Sequence, residues 1–358
     1  MKIIERYILE DTKMPIIFGV SLFTFIFLIE IIVSLMENII VKGISIIDVA
    51  RILSFYLPPI LSQTIPMGVF LGVMITFSKF TRTSEATAMS SMGMDLKSIL
   101  KPIFLMACGI TLFIFFLQES IIPRSFKKLE ELTLKIAYEN PIFQLKERIL
   151  IDEMDGYSLY IDKIDNSTKD AENILIFQKS KNEDYPTILV GKKAYWRNVS
   201  MILENSEFYT FSNDGKEKLK GEFKTKKIPL SSYFQDINLK VKDIEAQDIP
   251  TLLKEIKEKN SKEKVPYLVE INRKIAIPLS TIILAILGSV LSLGHHRSGK
   301  GTSFGISLAV IFIYIVCLNI GMVMAYKEQV SPFVGVWTPN LVLGVLTAYL
   351  YQKKARRI

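Results

Sequence analysis

Residues Leu57–Pro102 read LPPILSQTIPMGVFLGVMITFSKFTRTSEATAMSSMGMDLKSILKP, and this stretch decides the architecture. Its first half is an apolar, proline-broken segment ending at Phe77. Its second half leaves the apolar phase, turns sharply and re-enters it near Ile99. Between the two lies a short polar helix with one acidic residue, Glu85, flanked by Lys79, Arg82 and Lys97. A chain that only had to cross a bilayer has no use for such a piece. A chain worked on from outside by a soluble partner does, because force must enter somewhere.

The spacing predicts this helix over Ser84–Met92, with Gly93 supplying the left-handed residue that closes it and Asp95 capping the next helix. Ala86, Ala88, Met89 and Met92 make a small-and-Met face; Thr83, Ser84, Glu85 and Ser90 make a polar one. Met and Ala form an adaptable, close-approach surface. The docking candidates are therefore Arg82, Ser84, Glu85, Met89, Met92 and Gly93. A plain solvated connector has the same composition.

Outward from this stretch, the 358 residues are 49% hydrophobic and 22% charged, with a mean hydropathy of +0.31. That mixture implies membrane spans plus a sizeable polar domain. Crossing about 30 Å of hydrocarbon takes roughly 20 apolar residues. Six runs meet this, at 15–36, 52–77, 102–122, 272–293, 302–325 and 335–351. The first is too long, and too acidic near its start, for a cleaved signal peptide, so retention is expected.

Thirteen Lys and Arg fall in the pieces that share a side with both termini, against five on the other side. This places the termini in the cytoplasm. Segment 123–270 holds 26 Lys/Arg and 26 Asp/Glu. The net charge of +8 therefore belongs to the membrane part, a positive-inside signature rather than a nucleic-acid footprint. Cys108 and Cys317 both fall within spans and suggest no disulfide framework.

The opening MKIIERYILEDTK puts Ile3, Ile4, Tyr7 and Ile8 on one face, as an interfacial helix leading into the first span. Glu30 lies within that span, and a carboxylate at depth is a functional candidate unless the interface solvates it. Pro58, Pro59 and Pro66 predict a bend or local unwinding of the second span at a cavity wall, with a packing kink as the alternative. After the third span an apolar helical face continues through Phe126, Leu129, Leu132, Leu134 and Ile136 to Asn140-Pro141. From about Arg148 to Leu230 the period becomes two. Seven or so short strands without intervening helices imply an antiparallel sandwich or jelly roll. A polar helix, about Asp248–Lys259 with Pro250 early, leads back to the membrane.

GHHRSGKG (294–301) has the glycine and lysine spacing of a phosphate-binding loop, but Gly301 stands where Ser or Thr must bind magnesium. Its position between two spans also lacks the preceding buried strand. A basic connecting loop is the better reading. His295 and His296 have no ligand set around them, and no catalytic constellation is present, so neither a metal nor an enzymatic role is expected.

The combination resembles the LptF/LptG (YjgP/YjgQ) permease family of the lipopolysaccharide exporter. The resemblance rests on I-x-R-Y-I at Ile4–Ile8, the L-P-x-x-L block and Ser-Glu helix of 57–102, and INRKIAIPLS (271–280). HHRSGKG, FGISL (304–308) and W-x-P-N (337–340) complete it. It implies an α-helical membrane protein of six transmembrane helices with an inserted all-β periplasmic domain of jelly-roll or sandwich type. The transmembrane halves are residues 1–122 and 266–358, around a periplasmic domain at 123–265.

The resemblance further implies a paralogous permease partner, usually as a heterodimer, and a cytoplasmic LptB-like ATPase dimer that docks on the helix carrying Glu85. That ATPase, not this chain, binds ATP and magnesium, so no cofactor is expected here. Lipopolysaccharide drawn from the inner membrane passes to LptC/LptA-like jelly-roll bridge proteins, and nucleic acid has no part. Family members carry basic head-group contacts at the outer end of the first span. Here that region shows Glu30 and Glu37, with only Lys42 beyond. Arg273 and Lys274, with Glu30 and Lys42, are the substitute head-group candidates. The competing readings are another ABC-type permease and a membrane-anchored scaffold or receptor with a β sensor domain.

Overall fold

The computed structural model describes the chain except residues 1–2, 41–44, 140–146, 155–156, 166–169, 179–184, 198–199, 213–216, 230–243, 262, 294–299 and 357–358. It divides into two compact units. The first comprises Met1–Ile31, Leu53–Phe126 and Ile244–Ile358; the second comprises Ile32–Ile52 and Lys127–Asp243.

The helices are α1 (Ile3–Ile40), α2 (Ile46–Arg82), the short α3 (Glu85–Ser91), α4 (Leu96–Phe116) and α5 (Ile122–Glu139). After the strands come α6 (Ile249–Glu258), α7 (Val265–Ser292), α8 (Lys300–Tyr326) and α9 (Pro332–Ala355). Six segments are long and apolar enough to cross a membrane: Ile3–Leu35, Ile46–Arg82, Leu96–Ile136, Val265–Ser292, Gly301–Tyr326 and Pro332–Ala355. The expected six-span, multi-pass architecture is therefore present.

Two local features are settled by packing. The opening residues are the first turns of a continuous α1. Ile8 is fully buried with Phe77, Phe80, Met89 and Ile99, whereas Ile3 is exposed. Helix α2 likewise runs unbroken through Pro58, Pro59 and Pro66. Its neighbours hold it close. A Cβ on Gly68 would lie 2.4 Å from the Val20 backbone nitrogen, and one on Gly72 would lie 2.5 Å from that of Ile16. The Thr24 and Thr64 hydroxyls meet at 2.9 Å across the same contact. Small residues let helix backbones approach where the lipid supplies no hydrophobic drive.

Between α4 and α5 the third span contains a π-helical turn, Leu117–Ile121. Such a turn inserts a residue into the helical register and is often found at functional positions.

In the second unit six strands form one antiparallel sheet in the order β1-β2-β3-β4-β5-β6. They are β1 (Leu150–Met154), β2 (Tyr157–Ile164), β3 (Ala171–Gln178), β4 (Thr187–Arg197), β5 (Ser200–Phe211) and β6 (Glu217–Pro229). Among the described residues the strands number six rather than seven or so, because residues 200–211 form one continuous strand, β5. The β4–β5 register continues through it, from Ala194↔Leu203 to Leu189↔Phe208. One face gathers Leu159, Ile161, Ile174, Ile176, Leu189 and Leu203 into the core, as period-two alternation requires.

Candidate functional site

Helix α3 begins and ends abruptly. Ser84 adopts a left-handed conformation (φ 60°) at its N-cap and makes no side-chain cap bond. At the other end Gly93 (φ +81°) lets its own N–H reach the Ser90 carbonyl at 2.9 Å and the Met94 N–H reach the Met89 carbonyl at 3.2 Å. This is the paired closure that glycine favours. Asp95 then accepts the Ser98 N–H at 2.9 Å, capping α4 as expected. The Ser98 hydroxyl and N–H hold its carboxyl below the ordinary carboxylate range. The chain thus leaves one apolar helix, makes one polar turn of fixed geometry, and enters the next.

The candidate docking residues separate by depth. Arg82, Ser84, Met92 and Gly93 are exposed, and Glu85 is half-exposed. Met89 is buried among Phe80, Leu96 and Ile99. It anchors α3 from beneath, and the outer face is left to Thr87, Ala88, Ser91 and Met92. The carboxylate of Glu85 is held on both oxygens. Tyr7 of α1 donates to Oε2 at 2.8 Å and Thr83 donates to Oε1 at 2.7 Å. Tyr7 lies 78 positions away, and no local pattern in the sequence pointed to the pairing.

A second cluster sits on α7. Arg273 donates twice to Glu270, from Nε at 2.7 Å and from a terminal nitrogen at 3.0 Å. The same guanidinium lies 3.2 Å from Glu245. Glu270 is 2% and Lys274 3% exposed. Among the described residues Lys274 makes no hydrogen bond and no ion pair within 4.0 Å. It lines a cavity of about 30 Å³ with Arg273, Glu270, Gln118, Ser62 and Pro59, and the buried Gln118 Oε1 there has no hydrogen-bond partner among the described residues. That volume suits a water or two. Beside it, Glu119 in the π-helical turn accepts the Ile249 N–H at 3.1 Å. It supplies the N-terminal cap that Asp248 does not provide for α6.

Of the two predicted cations, then, Arg273 is hydrogen-bonded to a carboxylate and Lys274 is not, though the charges of Glu270, Glu119 and Asp248 all act on Lys274. Glu30 is exposed on α1. Lys42 and most of GHHRSGKG (294–299) lie outside the described residues. Glu270 stood three positions before Arg273, one helical turn away, so that pair was readable from spacing. The roles of Gln118, Glu119 and Glu245 were not.

The two C-terminal motifs meet in space. The Trp337 indole donates to the Asn272 side chain at 3.0 Å, and Asn340 donates to the Ala276 carbonyl at 2.8 Å. Polar contacts of this kind fix the register of two helices inside an apolar medium. W-x-P-N and INRKIAIPLS are thus the two sides of one joint between α7 and α9. Residues 6–353 match the family described as lipopolysaccharide export system permease LptF/LptG.

The chain belongs to the LptF/LptG family. No individual curated sequence matches it significantly, so the family match carries this assignment alone. An LptF/LptG permease is a transport component rather than an enzyme, and the six apolar helices make this one a multi-pass membrane protein.

Proposed function

We propose that this chain is one permease subunit of an ABC-type lipopolysaccharide exporter in the inner membrane. Both termini are cytoplasmic and the β domain is periplasmic. A separate LptB-like ATPase dimer binds ATP and magnesium and docks on α3, with Glu85 as the central polar contact. A paralogous permease completes the membrane cavity; a second copy of this chain is the alternative. The extracted lipopolysaccharide passes to LptC/LptA-like jelly-roll proteins. The observation that carries the reading is the family match across residues 6–353. The excess of Lys and Arg on the side of the termini supports the orientation.

Lys274 is the better head-group contact of the two candidates on α7. An anionic phosphate in a low-dielectric site calls for a cation, and Arg273 is already committed to Glu270 and Glu245. The Lys274 ammonium is buried and has no hydrogen-bonded partner among the described residues, only the carboxylates of Glu270, Glu119 and Asp248 beyond ion-pair distance, so its donors stay open to an arriving phosphate.

The test is co-purification from detergent. Wild type is expected to bring a cytoplasmic ATPase and lipopolysaccharide, with Glu85→Ala weakening and Glu85→Lys abolishing ATPase recovery. A wild-type complex without any ATPase would refute the mechanism. Lys274→Gln should lower lipopolysaccharide crosslinking while ATPase recovery stays intact; unchanged crosslinking removes Lys274 from the head-group site.

A further inference from the structure

We infer that Tyr7 is a positioning residue for Glu85: its phenol fixes where the docking carboxylate stands, and the first turns of α1 thereby belong to the coupling machinery. This rests on the reading of α3 as the ATPase-docking helix.

The geometry builds from the core outward. Phe77 and Phe80 are at most 1% exposed and meet edge-on at 5.7 Å. The Tyr7 ring stacks on Phe80 at 5.7 Å with an interplanar angle of 24°. Ile8, the next residue, is fully buried in the same cluster. The ring is therefore backed on one face by the core while 42% of the residue stays exposed, and its hydroxyl lies beside α3, 2.8 Å from Glu85 Oε2.

The two donors to Glu85 are not equivalent. The Thr83 hydroxyl has one proton and two acceptors in reach, the Lys79 carbonyl at 2.9 Å and Glu85 Oε1 at 2.7 Å. Tyr7 has Glu85 as its one acceptor among the described residues. Tyr7 is the committed donor and Thr83 a shared one. A carboxylate accepts about four hydrogen bonds, so both oxygens keep lone pairs for a partner's cation on the half-exposed side. A glutamate held this way has given up its rotamer freedom before the partner arrives, and pre-organisation of this kind strengthens binding.

Two more contacts tie α1 to both arms that flank α3. Asp11 meets Lys79 at the end of α2 at 2.6 Å, and Glu5 lies 3.8 Å from Lys101 on α4. Ser84 gives α3 no side-chain cap of its own, so the orientation of its first residue is set from α1.

The experiment titrates the LptB-like ATPase of the same cell onto the full permease complex in nanodiscs. Four forms are compared: wild type, Tyr7→Phe, Glu85→Gln and the double substitution. Phenylalanine keeps the stack on Phe80 and removes only the hydroxyl, so the melting temperature should match wild type. Tyr7→Phe is expected to weaken ATPase binding about three- to ten-fold, the net scale of one ordinary hydrogen bond, since the phenol positions the carboxylate rather than touching the partner. In the Glu85→Gln background it should add much less, because the two act through one contact.

If Tyr7→Phe binds at full strength while Glu85→Gln does not, the inference about Tyr7 is overturned and the docking reading stands. If Tyr7→Phe costs the same in both backgrounds, it acts elsewhere and the inference is again overturned. Full-strength binding by Glu85→Gln overturns the docking reading and takes this inference with it.

Discussion

A glycine-to-glycine helix contact in the membrane part gives a prediction with an internal control. Gly321 on α8 and Gly335 on α9 touch backbone to backbone: a Cβ on Gly321 would lie 2.0 Å from the Gly335 carbonyl oxygen and 2.9 Å from its carbon. The reciprocal Cβ on Gly335 would lie 2.4 Å from the Gly321 oxygen and 3.1 Å from the Ala325 Cβ. Both obstacles to Gly321→Ala are backbone atoms and cannot swing aside. Restoring a normal contact moves the helices apart by roughly 1 Å, and a gap of that size forfeits a quarter to a half of each dispersion contact along the seam. Gly321→Ala should therefore destabilise by about 2–3 kcal/mol, the upper part of the range for overpacking.

Gly344 lies on the same α9 helix, and a Cβ there meets nothing within 4 Å. Gly344→Ala should keep only the helix-propensity gain, about 0.5–1 kcal/mol in the opposite direction. Thermal unfolding of the purified complex, followed by tryptophan fluorescence (Trp337 packs at this seam), reads both. Gly321→Ala is expected to melt several degrees below wild type and Gly344→Ala at or slightly above it. Equal midpoints for the two variants would refute the argument from helix proximity.

Two further outcomes follow from other sites. Glu270→Ala leaves the Arg273 guanidinium buried with only the more exposed Glu245, 3.2 Å away, and removing one partner of a buried pair costs about 3–5 kcal/mol; thermal unfolding should show a loss larger than that of Lys274→Ala, and a smaller loss would mean that Glu245 alone suffices for Arg273. The carboxyl of Asp95 lies below its ordinary value because of Ser98, so its contribution is complete above the unfolded value of about 4 and fades as pH falls through the lower folded value. Asp95→Asn should flatten that acid limb of the stability profile, and an unchanged limb would place the titration on other carboxylates.

How far the sequence could be read depended on the range of the interaction. Gly93 and Asp95 were legible because each answers a local backbone demand, a left-handed closure and an unsatisfied helix N-terminus. The α8–α9 turn makes the same paired closure, with Glu328 N–H to the Ala325 carbonyl and Gln329 N–H to Met324, both at 3.0 Å. There Glu328 holds the left-handed position at φ 58°, and glutamate carries no signal for it. Tyr7 was readable only as an apolar-face residue, since its acceptor is 78 positions away. The prolines of α2 show the same limit. A proline removes a bond locally, yet α2 stays helical through all three, with Gly19, Ile16 and Val20 of α1 packed against Gly68 and Gly72.

The cap that Glu119 places on α6 bears on how such a chain tolerates change. It ties a residue just before Lys127–Asp243 to one just after it, so the long intervening segment begins and ends at a point the membrane unit already fixes. For an insertion closed in this way, doubling its length costs only about 0.6 kcal/mol in closure entropy. The segment between these two residues is therefore free to lengthen or shorten at small cost while the Glu119–Ile249 contact persists.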